Sequence, residues 1–157
     1  ITFCLLAIYT NCTSQTKAEK YKHLNEKIDV YKLNDPKKNY NYLFHEVVIK
    51  EKKVIKFIQF CTAFKLCSRA YYLDINEYSK IIVIEKPTRT SLEVHFKSNS
   101  INTQKINIKT EEHFKGEPAS KFSIALKKDT PKSEVNKIKE ALVALLKVYD
   151  IKKKNTF

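Results

Sequence analysis

The segment that most constrains the fold is residues 130–149, where apolar side chains recur at steps of three and four. The positions on this stripe are Val135, Ile138, Leu142, Leu145 and Tyr149. That spacing predicts an α-helix with one apolar side, and Thr130 followed by Pro131 predicts its start. Because such a side must be buried, the preceding chain is expected to offer it a sheet surface.

The second half of this helix carries apolar residues around most of its circumference. Besides the stripe it contains Ala141, Val143, Ala144, Leu146 and Val148. A helix that docks on one sheet face does not require so many. We therefore expect it to sit in the mouth of a curved sheet, or to be covered by a helix predicted within residues 17–33 or by a partner.

Seven short segments ahead of the helix have the composition or the alternation of β-strands. They are residues 42–49, 54–61, 66–75, 80–85, 92–97, 105–109 and 122–127. The alternation is clearest at 92–97, where Leu92, Val94 and Phe96 point one way. Residues 54–64 also fit a helix, and composition favours a strand. The apolar run 81–84 predicts a strand covered on both faces.

Consecutive strands followed by one helix predict an α+β fold. We expect about seven mostly antiparallel strands in a meander that forms a bent sheet or partial barrel, closed by the C-terminal helix. This order of elements over residues 42–150 resembles a pleckstrin-homology-like architecture. The closing helix lacks the Trp that many of those families carry.

Residues 1–14 have the features of an export signal. They carry no charge, and residues 1–8 form an apolar run that is too short to span a bilayer. Cys12 and Ser14 stand at positions −3 and −1 of a possible bacterial cleavage site before Gln15. The absence of Met predicts that an initiator and a basic n-region precede Ile1. The alternatives are lipidation at Cys12 and a buried N-terminal strand or helix. The expected location is periplasmic or secreted.

The rest of the chain divides into three parts. Residues 15–41 are polar and basic, and we interpret them as a linker with a short helix carrying Tyr21, Leu24, Ile28 and Tyr31 on one side. Residues 42–150 are the single α+β domain, and 151–157 form a basic tail.

The net charge is +13, yet it does not indicate a nucleic-acid reader. Of the basic residues, 28 are Lys and two are Arg, and Arg is the side chain that binds phosphate and guanine bidentately. The charge is also spread along the whole chain. Nucleic acid is therefore not an expected partner.

Two cysteines stay behind if the signal is removed. Cys61 and Cys67 could form a disulfide in an oxidising compartment, or remain two buried thiols. Their spacing and the absence of a nearby His argue against a metal site, and we expect no metal and no cofactor.

Four lysines form the candidate binding site, namely Lys50, Lys52, Lys53 and Lys56. They lie where a hairpin between 42–50 and 54–61 would turn. In lipid-binding members of the class that the chain resembles, basic residues of the first hairpin contact phosphorylated headgroups. Anionic lipid or lipopolysaccharide would be the ligand of an exported protein. The alternative is a solvated turn that discourages edge-to-edge pairing.

Catalytic patterns are scarce. His45 and Glu46 begin a zincin-like motif, but Ile49 stands where the second His is required. Glu93 and His95 share the polar face of one strand and could pair an acid with an imidazole, or form an ordinary surface pattern. With one glycine, the chain cannot form a Gly-rich phosphate loop.

These observations favour a small exported, non-enzymatic binding or interaction module whose specific role and partner stay open. The first alternative is a peripheral binder of anionic surfaces through residues 50–56. The second is a small enzyme with its site near Glu93 and His95.

Overall fold

The structure, a computed structural model, describes residues 16–35, 38–50, 52–61, 68–107 and 110–147. The export signal with Cys12, the side chain of Cys61, Cys67, and the basic tail lie outside the described residues, as does Tyr149. Within the described part the chain is α+β, with antiparallel strands and a C-terminal helix, which confirms the predicted fold class.

The elements follow one another in this order: α1 Lys17–Tyr31, β1 Asn34–Asp35, β2 Lys38–Ile49, β3 Lys52–Cys61, β4 Ser68–Leu73, a short 3-10 helix Ile75–Glu77, β5 Tyr78–Lys86, β6 Arg89–Phe96, β7 Asn102–Ile106, β8 His113–Lys115, β9 Lys121–Lys127 and α2 Lys132–Lys147. All seven predicted strands are represented among these elements. The open choice for residues 54–61 is resolved as strand. The two further strands, β1 and β8, are two and three residues long.

The strands form two sheets and do not follow a simple meander. Six of them are ordered β1-β2-β3-β4-β7-β8, and the other three are ordered β5-β6-β9. The β5–β6 hairpin therefore leaves the first sheet after β4, and the chain returns to it at β7. Strand β9 then joins the second sheet beside β6, immediately before α2.

Aromatic rings join the two sheets. Phe44 and Phe57 are cross-strand neighbours on the inner face of the first sheet, with ring centroids 4.5 Å apart. Phe57 also lies 4.4 Å from Phe122 of the second sheet. Such ring pairs stabilise a core by about 0.5–1.5 kcal/mol beyond the area they bury. The space between the sheets is thus the hydrophobic core.

Both helices belong to that core. The stripe on α2 is buried at Val135, Ile138, Leu142 and Leu145, as its spacing predicted. Tyr21, Leu24 and Ile28 of α1 join the same hydrophobic cluster, so the helix of the predicted linker segment packs against the strands that follow it. Lys27 of α1 also pairs with Glu134 of α2 at 3.5 Å. The predicted contact between the C-terminal helix and the helix within residues 17–33 is therefore observed.

The start of each helix has a distinct cap. In α1, Thr16 and Glu19 form a capping box in which each side chain bonds the other residue's backbone N–H. In α2, the Thr130 hydroxyl donates to the Lys127 carbonyl, and the N–H groups of Glu134 and Val135 donate to the Pro131 carbonyl. The predicted cap at Thr130 is thus wrong by one position.

The strand covered on both faces is β6, not β5. Five consecutive residues of β6, from position 90 to 94, are buried. In β5 only Ile81 is buried, and Val83 is 37% exposed, because β5 is an edge strand. The prediction that the strand at residues 81–84 is covered on both faces is therefore wrong.

Candidate functional site

The first hairpin ends in a tight turn. Ile49 of β2 pairs directly with Lys52 of β3, and Lys50 has a φ of 47°. A left-handed backbone is what a two-residue hairpin turn requires, because it matches the twist of the two strands. The predicted hairpin is confirmed.

Two aliphatic side chains are exposed next to this turn. Val48 is 65% and Ile49 40% exposed. Because side chains alternate along a strand, Val48 and Ile49 project from opposite faces. Lys50 and Lys53 stand beside them. We call these four residues, Val48, Ile49, Lys50 and Lys53, the hairpin tip.

The lysines predicted to act together do not share one surface. Lys53 is the cross-strand partner of Val48 and pairs with Glu46 at 3.3 Å. Lys56 points to the opposite face, where its Nζ lies 5.4 Å from the centre of the Tyr72 ring. The Lys52 side chain lies outside the described part. The structure therefore places Lys50 and Lys53 at the tip and Lys56 several residues away from it.

His45 does not add charge to this region at neutral pH. It is the cross-strand neighbour of Lys56. Partial burial, and then the positive charge of Lys56, lower the pKa of the His45 imidazole below its usual value. The positive charge of the hairpin thus comes from its lysines.

A recess of about 460 Å³ opens beside the tip. Lys50 and Lys53 line one side of it, and Asp74 and Asn76 of the following turn line another. The Ser100 hydroxyl oxygen, also in its wall, is buried and has no hydrogen-bond partner among the described residues. The recess has a mixed lining, since Ile49, Leu73 and Ile75 also border it, and it is of ordinary ligand-site size.

Glu93 and His95 do lie together, as their alternation on β6 predicted. His95 Nε2 is 3.3 Å from Glu93 Oε2, though not aligned as a hydrogen bond. Lys121 of β9 donates to the same oxygen at 2.9 Å. This bond, more than the other charges nearby, holds the pKa of the Glu93 carboxyl below its usual range. Glu93 is thus a carboxylate that stays ionised in an ion pair, which suits a structural role better than proton transfer.

The aliphatic half of the hairpin tip lies outside the site predicted from the sequence. A signal was present, because Val47, Val48 and Ile49 are consecutive apolar residues at the end of a strand. Consecutive residues of a strand face opposite sides, so a sheet with one covered face must leave at least one of them exposed. Lys50, which follows these residues, places a positive charge beside the exposed apolar side chain.

Comparisons with protein-family models, with curated proteins and with solved structures gave no match to this chain. Among the described residues no helix is long and apolar enough to cross a membrane. Nor do the described His, Cys, Asp and Glu side chains form a group of three or more that could hold a metal ion.

Proposed function

We propose that the protein is a small exported binding module that attaches reversibly to anionic envelope surfaces through the hairpin tip. The observation that carries the proposal is the pairing of two exposed β-branched side chains with two lysines at the end of one hairpin. Single exposed aliphatic residues are ordinary on protein surfaces. Adjacent exposed residues on both faces of a hairpin form an apolar edge that a lipid headgroup layer can accommodate.

The magnitudes favour weak attachment. Moving the exposed parts of Val48 and Ile49 out of water would contribute roughly 2 kcal/mol in total. Each lysine near an anionic surface adds about 1 kcal/mol. The sum of about 4 kcal/mol is below the strength of a single myristoyl anchor, so binding would be reversible and would weaken with salt.

The expectation of export supports this setting. The apolar run at residues 1–8 and the small residues before Gln15 are typical of a signal that is removed. Cleavage before Gln15 would leave both partners of the capping box, Thr16 and Glu19, in place. Intact mass and N-terminal sequencing of the exported protein would separate removal before Gln15 from lipidation at Cys12.

A non-enzymatic role is part of the proposal. The residues with the best catalytic pattern, Glu93 and His95, lie beside Lys121, and the Glu93 carboxylate is already bonded to that lysine. A carboxylate with a lowered pKa is a poor proton donor or acceptor near neutral pH.

Co-sedimentation with vesicles tests the proposal. We expect the protein to pellet with phosphatidylglycerol-containing vesicles at low salt, weakly with phosphatidylcholine alone, and less as salt rises. Substituting both aliphatic residues (V48T/I49T) should lower the partition coefficient roughly tenfold or more, since most of about 2 kcal/mol is lost. Substituting both lysines (K50Q/K53Q) should make the partition coefficient fall less steeply as salt rises.

Matched variants keep the result specific. Val30 on α1 is 60% exposed, so Val30→Thr removes a similar aliphatic group elsewhere. Lys132 at the start of α2 is 91% exposed at its side chain, so Lys132→Gln removes a similar charge. Both should bind as the unchanged protein does. Absence of binding at low salt, or equal loss in V30T and V48T/I49T, would refute attachment through the hairpin tip.

A further inference from the structure

A second candidate site lies at the far end of the first sheet from the hairpin tip, between strands β4 and β7 and the segment that leads into β9. This cleft has a volume of about 310 Å³. Its lining includes Arg69, Tyr71, Thr103, Lys105, Glu117 and Lys121. We call it the basic cleft. Its volume is at the lower limit for pockets that hold small molecules.

Two cations face each other across neighbouring strands in this cleft. Arg69 of β4 and Lys105 of β7 are direct cross-strand partners. Side chains at such positions have Cβ atoms about 4.5–5.5 Å apart, and like charges there destabilise a sheet. Within the described residues neither side chain takes part in an ion pair. An anion between them would remove the repulsion.

The cleft has a third cation with a partner behind it. Lys121 lines the cleft, and its half-exposed side chain carries the ammonium to Glu93 on the outer side of the second sheet. Glu117 is the carboxylate of the same lining. Because Glu93 neutralises Lys121, the cations Arg69 and Lys105 outnumber the carboxylate of Glu117, and this surplus of positive charge suits a ligand of low negative charge.

The wall of the cleft is held by the single glycine of the chain. Gly116 is buried, its N–H bonds to the Thr103 carbonyl at 2.9 Å, and Thr103 Oγ1 donates to the Glu117 carbonyl at 2.6 Å. A Cβ at position 116 would lie 2.2 Å from Thr103 Oγ1. Only a residue without a side chain permits this approach, so Glu117 is fixed beside β7.

We propose that the basic cleft binds the carboxylate or phosphate group of a small water-soluble molecule. Arg69 is suited to bidentate recognition of either group, and Lys105 supplies the second charge. The inference does not depend on the hairpin tip. Gln59, the β3 partner of Arg69, is seven residues from Lys52, which places the cleft roughly 24 Å along the strand from the turn. That separation favours a soluble ligand over a headgroup bound at the tip.

Thermal unfolding with added anions tests the inference. At constant ionic strength we expect inorganic phosphate or acetate to raise Tm saturably relative to chloride, because a ligand that binds only the folded state stabilises it. Phosphate also strengthens burial in a general way, so the comparison between variants decides the matter. Arg69→Gln should weaken the apparent affinity about tenfold or more, as expected for the loss of charge-assisted hydrogen bonds.

Lys105→Gln should change Tm in two ways. Without added anion it should raise Tm, since the repulsion with Arg69 is gone, and it should also reduce the response to phosphate. Lys132→Gln removes the same charge from α2 and should keep the full response. An identical anion dependence in the unchanged protein, R69Q, K105Q and K132Q would overturn the site. Binding of R69Q to anionic and zwitterionic vesicles distinguishes a soluble ligand from a lipid headgroup. For a soluble ligand, R69Q should bind vesicles as the unchanged protein does.

Discussion

At the scale of single residues, electrostatic pairs decide which charged side chains are fixed and which are available. The Glu93 carboxylate is buried and is bonded to Lys121, whereas Arg69 and Lys105 have no ion-pair partner among the described residues. The two groups lie near the same cleft. One ion pair stabilises the sheet, and the neighbouring pair of like charges is left to interact with a ligand.

Glu93→Gln should destabilise the protein by about 1 kcal/mol at pH 7, because it removes the ion pair and its charge-assisted hydrogen bond. The pKa of Glu93 is lower in the folded than in the unfolded chain. Its stabilisation is therefore fully present above the usual carboxyl range and is lost as the pH falls through the lowered pKa. Urea unfolding at pH 7 and pH 3 should show the difference from the unchanged protein shrinking with acid.

Glu85 offers the control for this prediction. Its carboxylate is 60% exposed and lies 3.9 Å from Lys132, so Glu85→Gln should change the free energy of unfolding little at either pH. An equal change in the free energy of unfolding in E93Q and E85Q at pH 7 would show that the Glu93–Lys121 bond adds no particular stability.

At the scale of elements, the outer edge of β2 is protected by a side chain of α1. The Asn25 amide donates to the Phe44 carbonyl and accepts from the Phe44 N–H, both at 2.9 Å. These are backbone groups that point away from β3, beyond the short pairing with β1 at residues 38–39. Asn25 thus replaces a neighbouring strand for one residue and fixes the helix to the sheet.

Asn25→Ala should lower the free energy of unfolding by about 2 kcal/mol, since two hydrogen bonds at roughly 1 kcal/mol each are lost. Asn136→Ala is the matched control, because it makes the same gain in helix propensity on an exposed part of α2. Guanidinium unfolding of both variants gives the difference directly. Equal stability of N25A and N136A would show that the Asn25 bonds contribute nothing net.

The elements with a strong apolar pattern could be predicted from sequence, and those without one could not. Helix α2 and the inner residues of β6 follow their spacing because burial of one side selects it. Strand β8 could not be found this way, since His113, Phe114 and Lys115 are all exposed. It exists through its pairing with β7, which no local pattern encodes.

At the scale of the whole molecule, the partition into two sheets places the two candidate sites at opposite ends of β3. The hairpin tip was half predictable, because its lysines are adjacent in sequence. The basic cleft was not, because Arg69 and Lys105 become neighbours only when β4 pairs with β7. The role of α1 was likewise underestimated: its three buried residues are spaced within a polar segment whose composition suggests a linker.

Paramagnetic broadening of amide NMR signals would show whether the hairpin tip enters an anionic lipid surface, as we propose. Amide NMR signals would be recorded with phosphatidylglycerol-containing bicelles that carry a spin-labelled lipid. If the tip inserts, we expect the signals of Val48, Ile49 and Lys50 to weaken first, while those of Arg69 and Lys105, roughly 24 Å along the sheet, stay sharp. This pattern would support insertion of the tip. Broadening centred on another surface, or none at low salt, would contradict it.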